Sequence, residues 1–263
     1  MKTIVLCWRQ KYNNMKQTDV HNFWGLGDLI RGTIGTIQLC KKHGYKLTVD
    51  THAHPISVFF KNSRTEYSDL IDELGENIPF KCQGELENFI LNSNGENPIV
   101  FMTNEQCIEP LEEDVKTFIR ELISPSSEII NDIDQIIQSL PSDYIVKHVR
   151  LGDGEMVRNE QNTNKYFYLL NRLMSLRTNK DVLFSDSYNF KKFASSHAGF
   201  MSLNTDTSHL GYHTDLTKLK NTMIDFYLIS KSKAIYSYSE YSWNSGFVYW
   251  SSVIYDIPFQ RFV

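Results

Sequence analysis

Short apolar runs and longer amphipathic segments alternate from the start of the chain. Thr3–Trp8 is an apolar run of strand length, and Tyr45–Asp50 has the pattern of the next strand. Between them, apolar residues recur at helical spacing in Leu29–His43, and Gly44 is placed to end that helix. The order strand, helix, strand predicts a parallel sheet in this part of the chain.

The second half of the chain repeats this alternation. Its predicted strands are Tyr144–Val149, Val182–Phe184, Phe200–Leu203 and Ala234–Tyr236. Its predicted helices are Lys165–Leu176, Tyr188–Ser196, Asp215–Ser230 and Trp243–Ser251. Two successive α/β halves predict an α/β fold with two Rossmann-like domains that face a cleft.

The segment between the two halves has a weaker pattern. Residues 61–97 are polar and rich in asparagine, so no element is predicted there. A strand is predicted at Ile99–Met102, and helices are predicted at Glu113–Ile123 and Ser126–Leu140. Because Pro141-Ser142 then breaks the helical pattern, we place the domain boundary there.

Composition narrows the class of protein. With 263 residues, 41% of them hydrophobic, the chain is long enough to bury a large core. A formal net charge of −4 argues against a nucleic-acid partner. No segment has the length of a membrane span or the layout of a signal peptide, so we expect a cytoplasmic protein with no membrane span. Zinc-site and disulfide spacings are absent from the cysteines, which are Cys7, Cys40, Cys82 and Cys107.

A pair of glycines precedes the first predicted helix. In Gly25-Leu26-Gly27-Asp28, the glycines would let backbone N–H groups approach an anion at the helix N-terminus. A dinucleotide-binding fingerprint needs a third glycine three residues after Gly27, where Ile30 stands instead. The segment is therefore either a phosphate loop or a plain tight turn.

Two polar clusters directly follow predicted strands, where open α/β sheets bind their ligands. The first is His148–Asp153, in which Arg150 can grip a diphosphate through two parallel hydrogen bonds or pair with Asp153. The second is Ser185-Asp186, whose carboxylate can accept the N–H groups of a guanine edge or cap the next helix.

A third cluster, Ser237–Gly246, is rich in hydroxyls and lies between a predicted strand and a predicted helix. Hydroxyls and exposed N–H groups at a helix start can form a phosphate cradle. The alternative is a serine-rich turn in which Ser242 is the N-cap.

These three clusters, in this order, resemble the motifs of the fucosyltransferase superfamily, which includes bacterial α1,2- and α1,6-fucosyltransferases and protein O-fucosyltransferases. The family pattern HxRxGD matches His148–Asp153 in full, and the FSDD-like element is similar to Phe184–Ser187, in which Ser187 replaces the last Asp. The pattern DLxLMSxC…SSFSWW is similar to Asp225–Ser232 followed by Ser239–Asn244. The glycine-rich loop of the family looks like Gly25–Asp28. The resemblance covers the C-terminal half and, loosely, the first 50 residues.

The resemblance implies a GT-B fold, a GDP-sugar donor, and inversion at the anomeric carbon without a metal or a cofactor. Residues 143–263 would bind the donor, and residues 1–142 would choose the acceptor, a glycan or glycoconjugate. By position, Arg150 would hold the β-phosphate, and His148 and Asp186 would lie at the nucleoside. The implied donor-binding residues are Gly25, Gly27, His148, Arg150, Asp153, Ser185, Asp186, Ser239 and Ser242.

The proposed chemistry assigns roles by charge. Negative charge develops on the diphosphate as the glycosidic bond breaks, and Arg150 would stabilise it there. A carboxylate should remove the proton of the attacking hydroxyl. Related enzymes place an acid shortly after the HxR motif, so Glu155 and Glu160 are candidates, and Asp28 is a third.

Three other functions stay open on the sequence alone. The donor could be another nucleotide sugar, such as a UDP-sugar. His52 and His54 lie two residues apart, as in strands that share a metal in barrel hydrolases, although residues 61–97 lack repeated βα units. The chain could also be a non-catalytic module that binds a sugar or a nucleotide.

Overall fold

The computed structural model describes residues 2–10, 23–81, 84–93, 95, 97–105, 107–152, 155, 162–207 and 215–262. The described residues up to Ser127 form one compact unit, and those from Glu128 onwards form a second. Each unit contains a parallel sheet whose strands alternate with helices along the chain. The predicted α/β fold with two Rossmann-like units is therefore confirmed.

The first unit is built on a four-stranded sheet with the order β2-β1-β4-β3. Its strands are β1 Thr3–Cys7, β2 Lys46–Asp50, β3 Phe80–Lys81 and β4 Ile99–Thr103. Its helices are α1 Leu26–His43, α2 Ser68–Leu74, α3 Leu86–Asn92 and α4 Glu113–Leu122, with 3-10 helices at Pro55–Phe59 and Gly75–Asn77. β1 pairs with β2 and β4, and all but its first residue is buried, because both faces of a central parallel strand are covered.

The start of α1 differs from the prediction. The helix begins at Leu26 rather than at Leu29, so Gly27 and Asp28 belong to its first turn instead of a preceding loop. Its C-cap is Gly44, as predicted, in the left-handed conformation with φ of 67°. A further glycine of α1, which the sequence pattern did not mark, is Gly32, where a Cβ would lie 2.0 Å from the carbonyl oxygen of Thr103. A glycine at this position lets α1 pack directly against the end of β4.

Residues 61–97, for which the sequence predicted no element, contain two short α-helices and a short strand. α2, β3 and α3 lie within residues 61–97. Both helices have seven residues, which is too short for a 3.6-residue period to stand out in the sequence.

The second unit is built on a five-stranded parallel sheet with the order β7-β6-β5-β8-β9. Its strands are β5 Ile145–Arg150, β6 Asp181–Ser185, β7 Met201–Ser202, β8 Ala234–Ser239 and β9 Phe259–Arg261. Its helices are α5 Ser127–Ile137, α6 Thr163–Ser175, α7 Tyr188–Ala198, α8 Leu216–Ile229 and α9 Gly246–Ile254. The chain enters at the central strand β5, runs outward to β7, and returns to the other side at β8, which makes β5 and β8 the topological switch point.

The division between the units lies at the start of α5, between Ser127 and Glu128, whereas the sequence placed it at residue 142. Lys220 on α8 binds two carboxylates of α5, with Nζ 2.5 Å from Glu128 Oε1 and 2.8 Å from Asp132 Oδ2. These contacts attach α5 to the second unit, and Pro141 lies inside that unit.

Two boundaries at β8 and α9 also differ from the prediction. β8 continues to Ser239 because its serines at 237 and 239 point inward and are buried, so they do not interrupt the strand as their polarity suggests. α9 begins at Gly246 rather than at Trp243, and its N-cap is Ser245.

None of the helices in the described part of the chain is both long and apolar enough to cross a membrane. Cys7, Cys40 and Cys107 are free thiols, and Cys82 lies outside the described residues.

Candidate functional site

The carboxyl ends of β5 and β8 bring the two best sequence candidates side by side. The register of these strands pairs Arg150 with Ser239 and His148 with Ser237. The backbone N–H of Glu240 donates to the carbonyl oxygen of Arg150 at 3.0 Å, which extends the pairing one residue beyond Ser239. This edge of the sheet is its switch point, where Rossmann-like folds bind their ligands.

Asp186 fixes the turn that follows β5. Its Oδ1 accepts the N–H of Leu151 at 2.7 Å, and its Oδ2 accepts the N–H of Gly152 at 2.9 Å. Burial raises the pKa of Asp186, and the charge of Arg150 and the two backbone donors offset part of that rise. Asp186 therefore anchors the turn that directly follows Arg150, and it does not cap the next helix.

The helix cap at this point is Ser187. Its Oγ accepts the N–H of Phe190 at 3.0 Å in the first turn of α7. Ser185 is also engaged locally, because its Oγ accepts the N–H of Ser187 at 3.1 Å. Ser185 is buried, and in this arrangement its hydroxyl shapes the turn between β6 and α7.

His148 is a buried, neutral side chain at the site. Its Nδ1 lies 3.0 Å from Oγ of Ser237, and its side chain is almost fully enclosed. Burial and the neighbouring positive charge of Arg150 lower the pKa of His148 to about 3. The imidazole is therefore uncharged at neutral pH, and it adds no positive charge to the site.

A steric contact explains why the HxRxGD pattern has a glycine at position 152. Gly152 has a φ of +85°, and a Cβ there would lie 2.8 Å from Oη of Tyr241. Tyr241 also contacts Arg150, whose Cζ lies 5.4 Å from the centre of its ring, a cation–π distance. The turn after β5 and the loop after β8 thus pack against each other through Tyr241.

Arg261 holds the loop after β8. Its Nη2 donates to the carbonyl oxygen of Tyr241 at 2.6 Å, and its Nη1 donates to that of Ser242 at 2.5 Å. Within the loop, the N–H of Tyr241 donates to Oγ of Ser239 at 3.3 Å. Ser239 is buried, whereas Ser242 is exposed and is not the N-cap of α9, contrary to the alternative drawn from the sequence.

The N-terminus of α9 follows this loop. Ser245 is the N-cap, and its side chain makes no capping hydrogen bond. The Ser245 side chain therefore does not occupy the first-turn N–H groups of α9, which are the donors that an anion site at a helix N-terminus uses.

Glu155 is held by hydroxyl groups. The hydroxyls of Tyr166 and Ser187 both donate to its Oε1, the second at 2.9 Å. Glu155 is therefore tied to the N-terminus of α7, next to the turn that Asp186 anchors. Two other predicted site residues, Asp153 and Glu160, lie outside the described residues.

In the first unit, the glycine pair starts a helix. The carbonyl oxygen of Gly25 accepts the N–H groups of Asp28 and Leu29 at 3.0 and 3.1 Å, and Gly27 lies in the first turn. The carboxylate of Asp28 pairs with Arg31, with Oδ1 2.8 Å from Nη2.

His52 and His54 are held in different environments. His52 bonds to two carboxylates, through Nδ1 to Asp50 and through Nε2 to Asp72 at 2.9 Å. His54 is buried, its Nδ1 accepts the N–H of Ile56 at 3.3 Å, and burial lowers its pKa to about 3. No group of three or more potential ligands that could hold a metal occurs within the described ranges, and this geometry gives the hydrolase hypothesis no support.

Solved structures of fucosyltransferases share this fold. A fucosyltransferase NodZ from Bradyrhizobium has a TM-score of 0.58 at 13% identity, over 100% of this chain and 94% of that chain. NodZ alpha-1,6-fucosyltransferase soaked with GDP-fucose has a TM-score of 0.56 at 15% identity, over 96% and 92% of the two chains. POFUT1 in complex with GDP-fucose has a TM-score of 0.52 at 12% identity, over 99% and 97%.

This chain has the fold of those fucosyltransferases. The GT-B fold implied by the sequence motifs is thereby confirmed. No protein-family model matches the sequence, and a search of curated proteins found no match to it.

The structure adds three residues that the sequence did not single out. Tyr241 joins the two loops, Arg261 clamps one of them, and Ser237 partners His148. Ser237 and Tyr241 lie in the hydroxyl-rich cluster that the sequence singled out only as a whole. Gly152 offered a second signal, because a glycine two residues after an arginine at a strand end indicates a special backbone conformation or a close contact.

Proposed function

We propose that this protein is a glycosyltransferase that moves a sugar, fucose or a similar one, from a GDP-sugar to a hydroxyl of a glycan or glycoconjugate. The observation that carries the proposal is the position of Arg150 beside Ser239 at the switch point of the second sheet. The shared fold with fucosyltransferase structures that contain GDP-fucose or GDP supports the choice of donor.

The diphosphate would lie across the ends of β5 and β8. Arg150 can donate two parallel charged hydrogen bonds to phosphate oxygens. The N-terminus of α9 adds backbone donors and the positive end of a helix dipole. Because both groups supply positive electrostatic potential, we propose that the reaction proceeds without a metal.

The nucleoside would lie toward β6. Asp186 uses each of its oxygens for one backbone N–H, and a carboxylate oxygen can accept a second hydrogen bond. Asp186 can therefore keep the turn in place and still accept from the N–H groups of a guanine edge. The uncharged His148 would offer a neutral polar surface there.

The transfer would break the bond between the anomeric carbon and the β-phosphate oxygen, and the bonding electron pair would leave with GDP. Arg150 would stabilise the charge that develops on this oxygen. The acceptor hydroxyl would attack the anomeric carbon from the opposite face, form the new glycosidic bond, and give up its proton to a carboxylate. Attack from that face inverts the anomeric carbon.

Glu155 is our candidate for this carboxylate. It belongs to the same unit as Arg150, and its position is fixed by the hydroxyls of Tyr166 and Ser187. A fixed carboxylate loses little conformational entropy when it accepts the proton, so its geometry can be set before the acceptor arrives.

The decisive experiment is calorimetric titration with GDP, UDP and ADP in the presence of a chelator. The proteins would be the wild type, Arg150→Ala, and Arg172→Ala as a matched control, because Arg172 is an exposed residue on α6 of the same unit. We expect GDP to bind most tightly. We expect its affinity to fall about 100-fold in Arg150→Ala, in line with the loss of a charge-assisted hydrogen bond, and to be unchanged in Arg172→Ala.

Assays of sugar transfer from GDP-fucose and of donor hydrolysis would come next. Preference for UDP would keep a glycosyltransferase and discard the GDP-sugar. GDP binding without hydrolysis or transfer would indicate a binding module. Absence of nucleotide binding, with metal bound to His52 and His54, would favour the hydrolase.

A further inference from the structure

Trp243 is an exposed tryptophan that is nevertheless held in place. The residue is 63% exposed, more than any other exposed aromatic residue in the described part of the chain. Its ring is stacked on that of Tyr241, with centroids 4.8 Å apart and planes inclined by 8°. A parallel stack covers one face of the indole, and the opposite face is open to solvent.

Several contacts hold the support beneath this ring in place. Tyr241 is wedged against the backbone of Gly152, and its ring lies at a cation–π distance from Arg150. Arg261 binds the carbonyl oxygens of Tyr241 and of Ser242, the two residues before Trp243. The open face of the indole is therefore preorganised, and a ligand that stacks on it would lose little free energy in ordering the loop.

The place of Trp243 along the sheet indicates which part of a ligand it meets. It belongs to the loop after β8, which is clamped from β9. In the proposed function, the diphosphate lies at β5 and β8 and the nucleoside lies toward β6. The sugar end of the reaction is then on the β9 side, where Trp243 is.

The chemistry of this surface favours a neutral ring. Glu240, the nearest acidic residue in the loop, is already paired with Lys165, with Oε2 2.5 Å from Nζ, and it also accepts from the hydroxyl of Tyr238 at 2.9 Å. The negative face of an indole attracts the slightly positive C–H bonds on the apolar face of a pyranose. A nucleobase would also need edge-reading groups beside the stack, and those we assign to the base lie at the ends of β5 and β6.

We propose that the open face of Trp243 is an acceptor subsite, on which a pyranose ring of the acceptor saccharide stacks while one of its hydroxyls attacks the donor. The proposal rests on the proposed function. It assigns part of acceptor recognition to the second unit, next to Arg150 and Tyr241. Residues 1–142 would then not recognise the acceptor alone.

A glycan array of α- and β-linked pyranosides, probed with labelled protein in saturating GDP, would identify bound saccharides. The best soluble one would then be titrated against the wild type, Trp243→Ala and Trp243→Phe. Phe167→Ala is a matched control, because Phe167 is another exposed aromatic residue of the same unit, on α6.

We expect Trp243→Ala to weaken saccharide binding about tenfold, in keeping with the loss of one aromatic stack. Trp243→Phe should keep most of the affinity, Phe167→Ala should keep all of it, and GDP affinity should be the same in the four proteins. In transfer assays, the KM for the saccharide should rise in Trp243→Ala more than kcat falls.

Three results would overturn the proposal. GDP affinity that falls in Trp243→Ala would make the indole a platform for the base. Saccharide affinity that is equal in Trp243→Ala and the wild type would leave the ring without a role. A wild type that binds GDP but no pyranoside on the array would do the same. A wild type that binds no GDP would instead contradict the proposed function, so the two failures are distinct.

Discussion

Gly152 and Tyr241 are packed so closely that position 152 has no room for a side chain. A Cβ there would lie 2.8 Å from Oη and 3.1 Å from Cζ of Tyr241, in a backbone with φ of +85°. The turn that contains Gly152 begins directly after Arg150. A shift of the turn that relieves this contact would also move the guanidinium that we assign to the diphosphate.

Gly152→Ala should therefore be destabilising for two separate reasons. Gly44→Ala is the matched control, because Gly44 also has a positive φ, of 67°, but has nothing within 4 Å of a Cβ. We expect Gly44→Ala to cost about 1 kcal/mol from backbone strain alone, and Gly152→Ala to cost about 3 kcal/mol. Urea unfolding measures both free energies.

Removal of the Tyr241 hydroxyl tests how much of the stability lost in Gly152→Ala is due to the steric contact with Tyr241. In the double variant Gly152→Ala with Tyr241→Phe, we expect about 1 kcal/mol of stability to return, since the nearest clashing atom is gone. GDP affinity should be lower in Gly152→Ala than in the wild type, and it should recover in the double variant together with stability. Equal losses in Gly152→Ala and Gly44→Ala would show that the contact with Tyr241 has no energetic role.

Asp186→Ala should loosen the same turn from the other side. It leaves the N–H groups of Leu151 and Gly152 without their acceptor, at a cost of about 3 kcal/mol, whereas Asp186→Asn keeps one acceptor oxygen and should cost about half as much. Denaturant unfolding and GDP titration would be compared with Asp134→Ala, an exposed position on α5. Equal stability of Asp186→Ala and the wild type would contradict the anchoring role.

His148 makes stability fall toward acid pH. Burial, followed by the charge of Arg150, lowers its folded pKa to about 3, while its ordinary value is 6.5. Because the unfolded state takes up the proton first, this contribution is fully present above pH 6.5 and is lost as the pH falls from there toward 3. The difference in unfolding free energy between the wild type and His148→Gln should therefore rise from about pH 5 to about pH 7 and then level off. A difference that stays flat would mean that the imidazole titrates normally.

His52 should behave in the opposite way. Desolvation opposes its charged form, but the hydrogen bonds and charges of Asp50 and Asp72 outweigh it, and the pKa of His52 is raised above 6.5. A raised folded pKa adds stability that is complete below pH 6.5 and is lost as the pH rises through the folded value. The stability difference between the wild type and His52→Gln should shrink from about pH 6 to 8. The same unfolding series with Asp72→Asn should show a smaller pH dependence, because one of the two carboxylates is removed.

The sequence predicted the parts of the fold that are long or apolar. The strand around Val146, the helix that Asp215 caps, and the place of Arg150 at a strand end all agree with the structure. Local periodicity is sufficient for these features, because each element shows its own burial pattern within a few residues. The motif HxRxGD, rather than periodicity, predicted that the candidate site lies at the end of the strand that carries Arg150.

Other features depend on contacts between distant residues. Ser237 and Ser239 looked like a loop because they are polar, yet their inward positions on β8 are set by pairing with β5. The contacts of Tyr241 with Gly152 and of Asp186 with Leu151 join segments that only the strand order brings together. The attachment of α5 to the second unit depends in the same way on Lys220, far along the chain.

The order of the second sheet has a consequence for when the proposed nucleotide site forms during folding. β5 is made first but needs β6 on one side and β8 on the other, and the loop after β8 needs Arg261 of β9. Contacts between such distant segments form slowly, because long loops must close before the contacts are gained. Nucleotide binding should therefore appear only with the final, fully assembled species during refolding, which makes GDP a reporter of completed folding rather than of collapse.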